Sequence, residues 1–360
     1  MNILHVITSL YTGGAEHLLV DLLPLLKDNG KNQVDLLLIN GVDTAFKKAI
    51  QQAGIQVFSL SSTNDVYNPR NILRMRKHFR GYDIIHTHNT ACQLYVPIAR
   101  QMTTSSAILV TTEHSSSNRR RSRGWLKPID RWMYNQYKAI ICIADKPRNN
   151  LEAYIGKKSS LLTINNGVNI QRFVRPVKDI STQDGFIITM VAAIRAEKDH
   201  GTLLKSLTHL PDNYRLQIVG GGEKLNCENV KVLCQELGLG DRVDFMGVRQ
   251  DVPDILEKSD IVVLSSHWEG LSLSSIEGMA SGRPFIASDV DGLRELVGGA
   301  GLLFPHGDDR ELAAKIKFLC EHPDEYQKVA RQCQDRAKNY DILVMADKYL
   351  KLYRKLLVNN

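Results

Sequence analysis

Short apolar runs separated by amphipathic stretches recur along the chain in two series, and this rhythm limits the folds open to it more than any other feature. Asn2–Thr8, Val34–Ile39, Ile55–Leu60, Tyr82–Thr87, Ala107–Thr112 and Ala139–Ala144 read as strands. The pattern resumes at Phe186–Ala192, Leu216–Val219, Val243–Met246, Ile261–Ser265, Pro284–Ser288 and Gly301–Phe304. Strands that are apolar throughout are buried on both faces, which calls for parallel sheets covered by helices. The expected class is α/β, with two Rossmann-like domains whose strand-end loops face each other across a cleft. A length of 360 residues allows two cores. Asn165-Asn166-Gly167 closes the first series and Val174–Gly185 is polar, as a linker is. The expected domains are 1–170 and 171–340, with 341–360 a helix returning to the first domain.

Charge divides the chain unevenly. Residues 1–170 hold 21 Lys and Arg against 11 Asp and Glu, and the remainder 25 against 28. The densest cluster is Arg119, Arg120, Arg121, Arg123 and Lys127, with Trp125 and Leu126 interleaved. It reads as a solvated loop or as an attachment to an anionic membrane surface. Nucleic acid is not expected, because the aromatics are too sparse for a stacking platform. The first apolar run stops at Thr8 and Ser9, too short for a signal sequence or a span. Six cysteines without CxxC spacing suit a reducing compartment. The expected location is cytoplasmic, peripheral on the inner face of a membrane.

Candidate chemistry sits after the strands. Gly13 and Gly14 precede a helix with Leu18, Leu19, Leu22, Leu23 and Leu26 on one face. They either admit an anion to the helix N-terminus or make a turn needing positive φ. Arg195 and Lys198 follow the first strand of the second series and can neutralise a diphosphate, or bridge to Glu197 and Asp199. Gly221, within Gly220-Gly221-Gly222, suits a ligand wall or close backbone packing. Glu269 and Glu277 lie eight residues apart across a strand-to-helix turn, and a carboxylate there can bind the vicinal hydroxyls of a ribose. Ser274-x-x-Glu277 also matches a capping box. His88 and His114 end strands and read as functional or as satisfied strand-end histidines. Asp289-Val290-Asp291 reads as structural, so no metal ligand is assigned.

With these residues in place the sequence resembles the family 4 retaining glycosyltransferases of the GT-B fold. The resemblance rests on Gly13-Gly14-Ala15-Glu16, His86-Thr87-His88-Asn89, Thr112-Glu113-His114, Asn166-Gly167-Val168-Asn169, Arg195 to His200 and Glu269 through Gly282. Asp291 to Leu296 and Gly301 to Phe304 follow in the same order. It implies transfer of a hexosyl or N-acetylhexosaminyl group, with retention, from a UDP- or GDP-linked donor to a glycan or lipid-linked acceptor. It further implies no metal and no other cofactor, and a place in bacterial envelope or exopolysaccharide assembly. Glu277 would hold the ribose and Glu269 the donor sugar. The amides of Gly270, Leu271, Ser272 and Leu273, with Gly13 and Gly14, would approach the diphosphate and sugar. His88 would stand beside donor and acceptor. Two positions depart from the pattern: Ala193 stands where an arginine is usual, and Asn169 where an aspartate is. The competing readings are a sugar-nucleotide epimerase, a glycosidic phosphorylase, and a non-catalytic interaction protein at the membrane surface.

Overall fold

The computed structural model describes residues 1–11, 13–62, 65–114, 121, 123–182 and 184–359. It divides into two compact units, one of Met1–Gly167 with Ile342–Asn360 and one of Val168–Asp341.

In the first unit β1 (Asn2–Ile7), β2 (Gln33–Asn40), β3 (Gln56–Ser61), β4 (Ile84–His88), β5 (Ile108–Glu113), β6 (Ala139–Cys142) and β7 (Leu161–Thr163) form one sheet, ordered β3-β2-β1-β4-β5-β6-β7. Every pairing is parallel. The connecting helices are α1 (Gly14–Leu26), α2 (Ala45–Gln52), α3 (Arg70–Met75), α4 (Thr90–Gln101), α5 (Lys127–Asn135) and α6 (Asp145–Ile155). Alternation drives the burial: Ile3, Ile7, Leu36, Leu38 and Ile84 serve one face, and Leu4, Val6, Leu37, Ile39 and Ile85 the other. Strand β7 escapes the pattern because three residues are too few to show one. β6 ends at Cys142, two residues early, because Ala144 is already the N-cap of α6.

The second unit repeats the scheme with β8 (Phe186–Val191), β9 (Tyr214–Val219), β10 (Val243–Gly247), β11 (Ile261–Leu264), β12 (Phe285–Ser288) and β13 (Leu302–Phe304), ordered β10-β9-β8-β11-β12-β13 and again all parallel. Its helices are α7 (His200–Thr208), α8 (Lys224–Glu236), α9 (Val252–Lys258), α10 (Leu273–Ala280), α11 (Asp291–Val297), α12 (Asp309–Glu321) and α13 (Pro323–Lys338). The polar stretch expected to be a linker is held on this unit. Ile180 is buried in its core, and Lys178 Nζ lies 2.5 Å from Asp260 Oδ1.

The last helix, α14 (Ile342–Val358), belongs to the first unit. Met345 and Ala346, then Tyr349 and Tyr353 at successive helical turns, are buried beside α1 on the Ile3 face. Among the described residues no helix is long and apolar enough to cross a membrane.

Candidate functional site

The second unit gathers charge at its strand ends. Beyond β8 the backbone runs so close to the segment after β9 that side chains are excluded there. A Cβ on Gly220 would lie 1.9 Å from the Ala192 carbonyl oxygen, and one on Gly222 would lie 2.1 Å from that of Ile194. Gly220 also takes φ +146°, which favours glycine. Gly221 between them lines a cavity of about 580 Å³ together with Arg195, Glu197, Glu223 and Asn226. Arg195 is two-thirds exposed and only 3.8 Å from Glu197, whereas Lys198 is nearly buried and bonded to Glu269. Glu269 also accepts from Ser266 Oγ at 2.9 Å. The bridges weighed for these cations therefore divide: Arg195 takes Glu197, while Lys198 takes Glu269 and neither Glu197 nor Asp199. Asp199 is instead a helix cap. In the left-handed region at φ +38°, it accepts from Thr202 N at 3.2 Å and Thr202 Oγ1 at 2.7 Å.

Two residues beside this pair carry no signal in the sequence. His267 Nδ1 lies 2.6 Å from His306 Nε2 and 3.8 Å from Asp199 Oδ2. Spacings of 68 and 39 residues hide such a trio from any local pattern.

The capping-box reading of Glu277 is corrected. Ser272, not Ser274, caps α10, accepting from Ser275 N at 3.3 Å. Glu277 therefore sits two residues further into the helix than a box requires, half-buried. Leu271 and Leu273 pack on the unit's core, so the Gly270–Leu273 segment is left its backbone groups to offer. Gly292 is what lets α11 lie against this loop, since a Cβ there would be 1.9 Å from the Gly270 carbonyl oxygen. Asp289 and Asp291 are engaged by Arg294, at 2.5 Å and 3.6 Å.

The first unit offers neutral groups instead. Gly13 caps α1 in extended backbone, and neither Gly13 nor Gly14 has positive φ, so the turn reading fails. Gly14 has open space where a Cβ would stand. Asn89, at φ +67° and ψ +152°, is the strained residue of this region, and its amide donates to Thr8 Oγ1 at 3.0 Å. Such strain costs about 1–3 kcal/mol and clusters at functional sites. Asn89 lines a cavity of about 470 Å³ with Thr8, Gln93, Glu113 and His114. His88 does not line it: the imidazole is fully buried, Nδ1 bonded to His114 Nε2 at 2.9 Å and Nε2 to His5 Nδ1 at 2.9 Å. The reason is register, since His88 is the last residue of a central strand under α14.

Arg121 leaves the expected basic patch. Its guanidinium is 2.9 Å from Glu113 Oε2 and one-tenth exposed, and Tyr134 OH donates to the same oxygen at 2.7 Å. A buried carboxylate needs a partner, and Arg121 is it. Arg119 and Arg120 lie outside the described residues. Arg123 is exposed, and Lys127 Nζ stands 5.5 Å from the Tyr154 ring. What the surface does present is apolar: Trp125, in the 3-10 turn that leads into α5, and Ile129 and Trp132 on α5 are 70%, 42% and 38% exposed, with Arg131 beside them.

Two Rossmann-like units, each an all-parallel sheet covered by helices, have the architecture of the GT-B glycosyltransferases. The family model described as Glycosyl transferases group 1 matches residues 173–340, and that described as Glycosyltransferase Family 4 matches residues 12–172. The chain belongs to the family 4 glycosyltransferases. It is 26% identical to the putative glycosyltransferase EpsD of Bacillus subtilis, over 81% of this chain and 84% of that protein. It is also 26% identical to the UDP-Gal:alpha-D-GlcNAc-diphosphoundecaprenol alpha-1,3-galactosyltransferase of Escherichia coli, over 77% and 76%. Its fold matches that of Anabaena Alr3699/HepE in complex with UDP, with a TM-score of 0.84 and 22% identity over 99% of this chain and 100% of that one.

Proposed function

We propose that the protein transfers a hexosyl or N-acetylhexosaminyl group, with retention, from a UDP- or GDP-linked donor to a hydroxyl of a glycan or lipid-linked acceptor in bacterial envelope or exopolysaccharide assembly. The observation that carries the reading is the Lys198–Glu269 pair, with Ser266 behind it and Glu277 on the helix that follows. A nucleoside diphosphate sugar presents both things this pair can bind. Its phosphates compete for the Lys198 ammonium, and its sugar hydroxyls donate to the freed Glu269 carboxylate. Glu277 takes the ribose hydroxyls.

In the transfer the anomeric C–O bond breaks and the bonding electrons leave with the β-phosphate. The acceptor oxygen bonds to the anomeric carbon on the same face, and its proton passes to the departing phosphate oxygen. Lys198 and Arg195 stabilise the developing charge electrostatically, the role a divalent cation has in other enzymes. Relatives named for diphosphoundecaprenol-linked acceptors support a lipid-linked acceptor, and a UDP-glucose complex of the Anabaena neighbour supports a uridine donor.

For such an acceptor the Trp125, Ile129 and Trp132 face, flanked by Arg123 and Arg131, provides a membrane contact. The apolar anchors give a salt-insensitive part and the arginines a screened part, each about 1 kcal/mol. Trp125→Ala with Trp132→Ala is expected to abolish binding to phosphatidylglycerol vesicles in flotation; unchanged binding removes this surface.

The decisive test offers UDP- and GDP-linked sugars with a prenyl-diphosphate glycan and follows nucleoside diphosphate release, with chelator present. The product linkage is read by NMR. Expected are chelator-insensitive release and a product with the donor's anomeric configuration. An inverted product refutes retention, loss of turnover in chelator refutes metal independence, and an isomerised donor with no diphosphate released means an epimerase.

A further inference from the structure

Four histidines share one face of the first sheet: His5 on β1, His86 and His88 on β4, and His114 one residue beyond β5. They have the parity of Ile3, Ile84 and Val110, so the pleat turns all four toward the α14 side. Their rings stack, with centroids 5.0 Å apart for His5 and His86, 4.5 Å for His86 and His88, and 5.2 Å for His5 and His88.

His5, His86 and His88 are close enough together to suggest a metal site. Their hydrogen bonds argue otherwise. His86 Nδ1 is 2.5 Å from Tyr353 OH and His86 Nε2 is 2.7 Å from Thr112 Oγ1, while His5 and His88 bond each other. A metal would have to break these bonds in a place with no exposed surface.

What remains is a directional chain. Burial holds His5 at about 3, His114 at about 4 and His88 well below its usual value, so all three are neutral at neutral pH. A neutral imidazole has one donor and one acceptor nitrogen. The links His5 Nδ1 to His88 Nε2 and His88 Nδ1 to His114 Nε2 can therefore run in only two senses. If protons point from His114 toward His5, the terminal proton sits on His5 Nε2, a fully buried atom with no acceptor. If they point the other way, His5 Nε2 is a bare lone pair and the terminal proton is on His114 Nδ1. A buried N–H without an acceptor is the rarer and more costly defect.

We infer that His5 and His88 are positioning residues that fix His114 as its Nδ1–H tautomer, so that His114 offers a neutral hydrogen-bond donor to an acceptor-sugar oxygen in the cavity beside Asn89. The ligand class rests on the transferase reading; the tautomer does not. A donor that carries no charge suits a sugar hydroxyl, which must itself donate elsewhere when it attacks.

The test is two-bond proton–nitrogen NMR of the imidazoles in the 15N-labelled full chain at pH 7. Expected in the wild type are Nδ1–H forms of His5, His88 and His114. His114 as Nε2–H overturns the inference without any variant. His5→Asn keeps an amide donor near Nδ1 and is expected to preserve the tautomers of His88 and His114. His5→Asp, which offers acceptors, is expected to reverse both. It should also raise the acceptor KM about three- to tenfold with donor KM unchanged, the size of one neutral hydrogen bond. Wild-type tautomers in His5→Asp overturn the inference. Tautomers that behave as expected in a chain that releases no nucleoside diphosphate from any donor leave the relay standing and remove the transferase reading.

Discussion

The two units share an architecture and differ in what they keep at their strand ends. The first holds neutral imidazoles in a buried hydrogen-bonded stack, with a buried ion pair, Glu113 with Arg121, at the cavity wall. The second holds a cation against a carboxylate, Lys198 on Glu269, beside glycines that bring backbone close. A neutral stack is suited to hydroxyl groups. A charged pair is suited to a ligand that brings charge and hydroxyls together and can take the place of each partner. The contrast teaches that one fold, repeated, is specialised by a few strand-end residues rather than by its sheets.

Acid should separate the units most. The folded values of His5 and His114 are about 3 and 4, and those of His86 and His88 are also well depressed, by burial first and neighbouring imidazoles second, against 6.5 when unfolded. A depressed histidine contributes stability that is complete above pH 6.5 and lost as pH falls through the folded values. Each adds a slope of up to about 1.4 kcal/mol per pH unit. Among the described residues of the second unit one such group is present, His200, at about 4 because of burial. Hydrogen exchange between pH 6.5 and 4 should show the first unit losing protection earlier; equal loss would break the contrast.

Lys198→Ala should lower turnover at saturating donor by on the order of 10²-fold, about 3 kcal/mol of barrier. A loss confined to donor KM would move Lys198 from leaving-group stabilisation to ground-state binding. Glu277→Ala should weaken nucleoside diphosphate binding about 10- to 100-fold in calorimetry, the worth of hydrogen bonds to a charged group. Unchanged affinity removes it from the ribose. Gly292→Ala should cost about 1–3 kcal/mol by crowding the Gly270 carbonyl. Donor KM should rise with it, while the histidine tautomers of the first unit stay as they are.

Legibility in the sequence followed the range of the interaction. Glu269, Glu277 and Lys198 were visible because each sits at a fixed offset from a strand end. So was the doubly wound fold, because buried parallel strands leave uninterrupted apolar runs. Arg121 reads as part of a basic patch because its neighbours in sequence are arginines, whereas its partner, Glu113, ends β5 and also accepts from Tyr134. Asn89 passed as part of a motif, since its strain is a property of φ and ψ. Short β7 and the cap at Ser272 were missed for want of residues to carry a pattern.

Alone, the sequence determined two α/β series, the strand ends at which chemistry had to lie, and the residue types available there, because periodicity and offset are local quantities. The tertiary structure decided which of those residues meet. It turned His88 inward and left His114 at the cavity, paired Lys198 with Glu269, took Arg121 from the surface, and set Tyr349 and Tyr353 from the far end of the chain over the histidines. Those pairings depend on strand order and on which face a side chain takes, and neither is written in the spacing of residues along the chain.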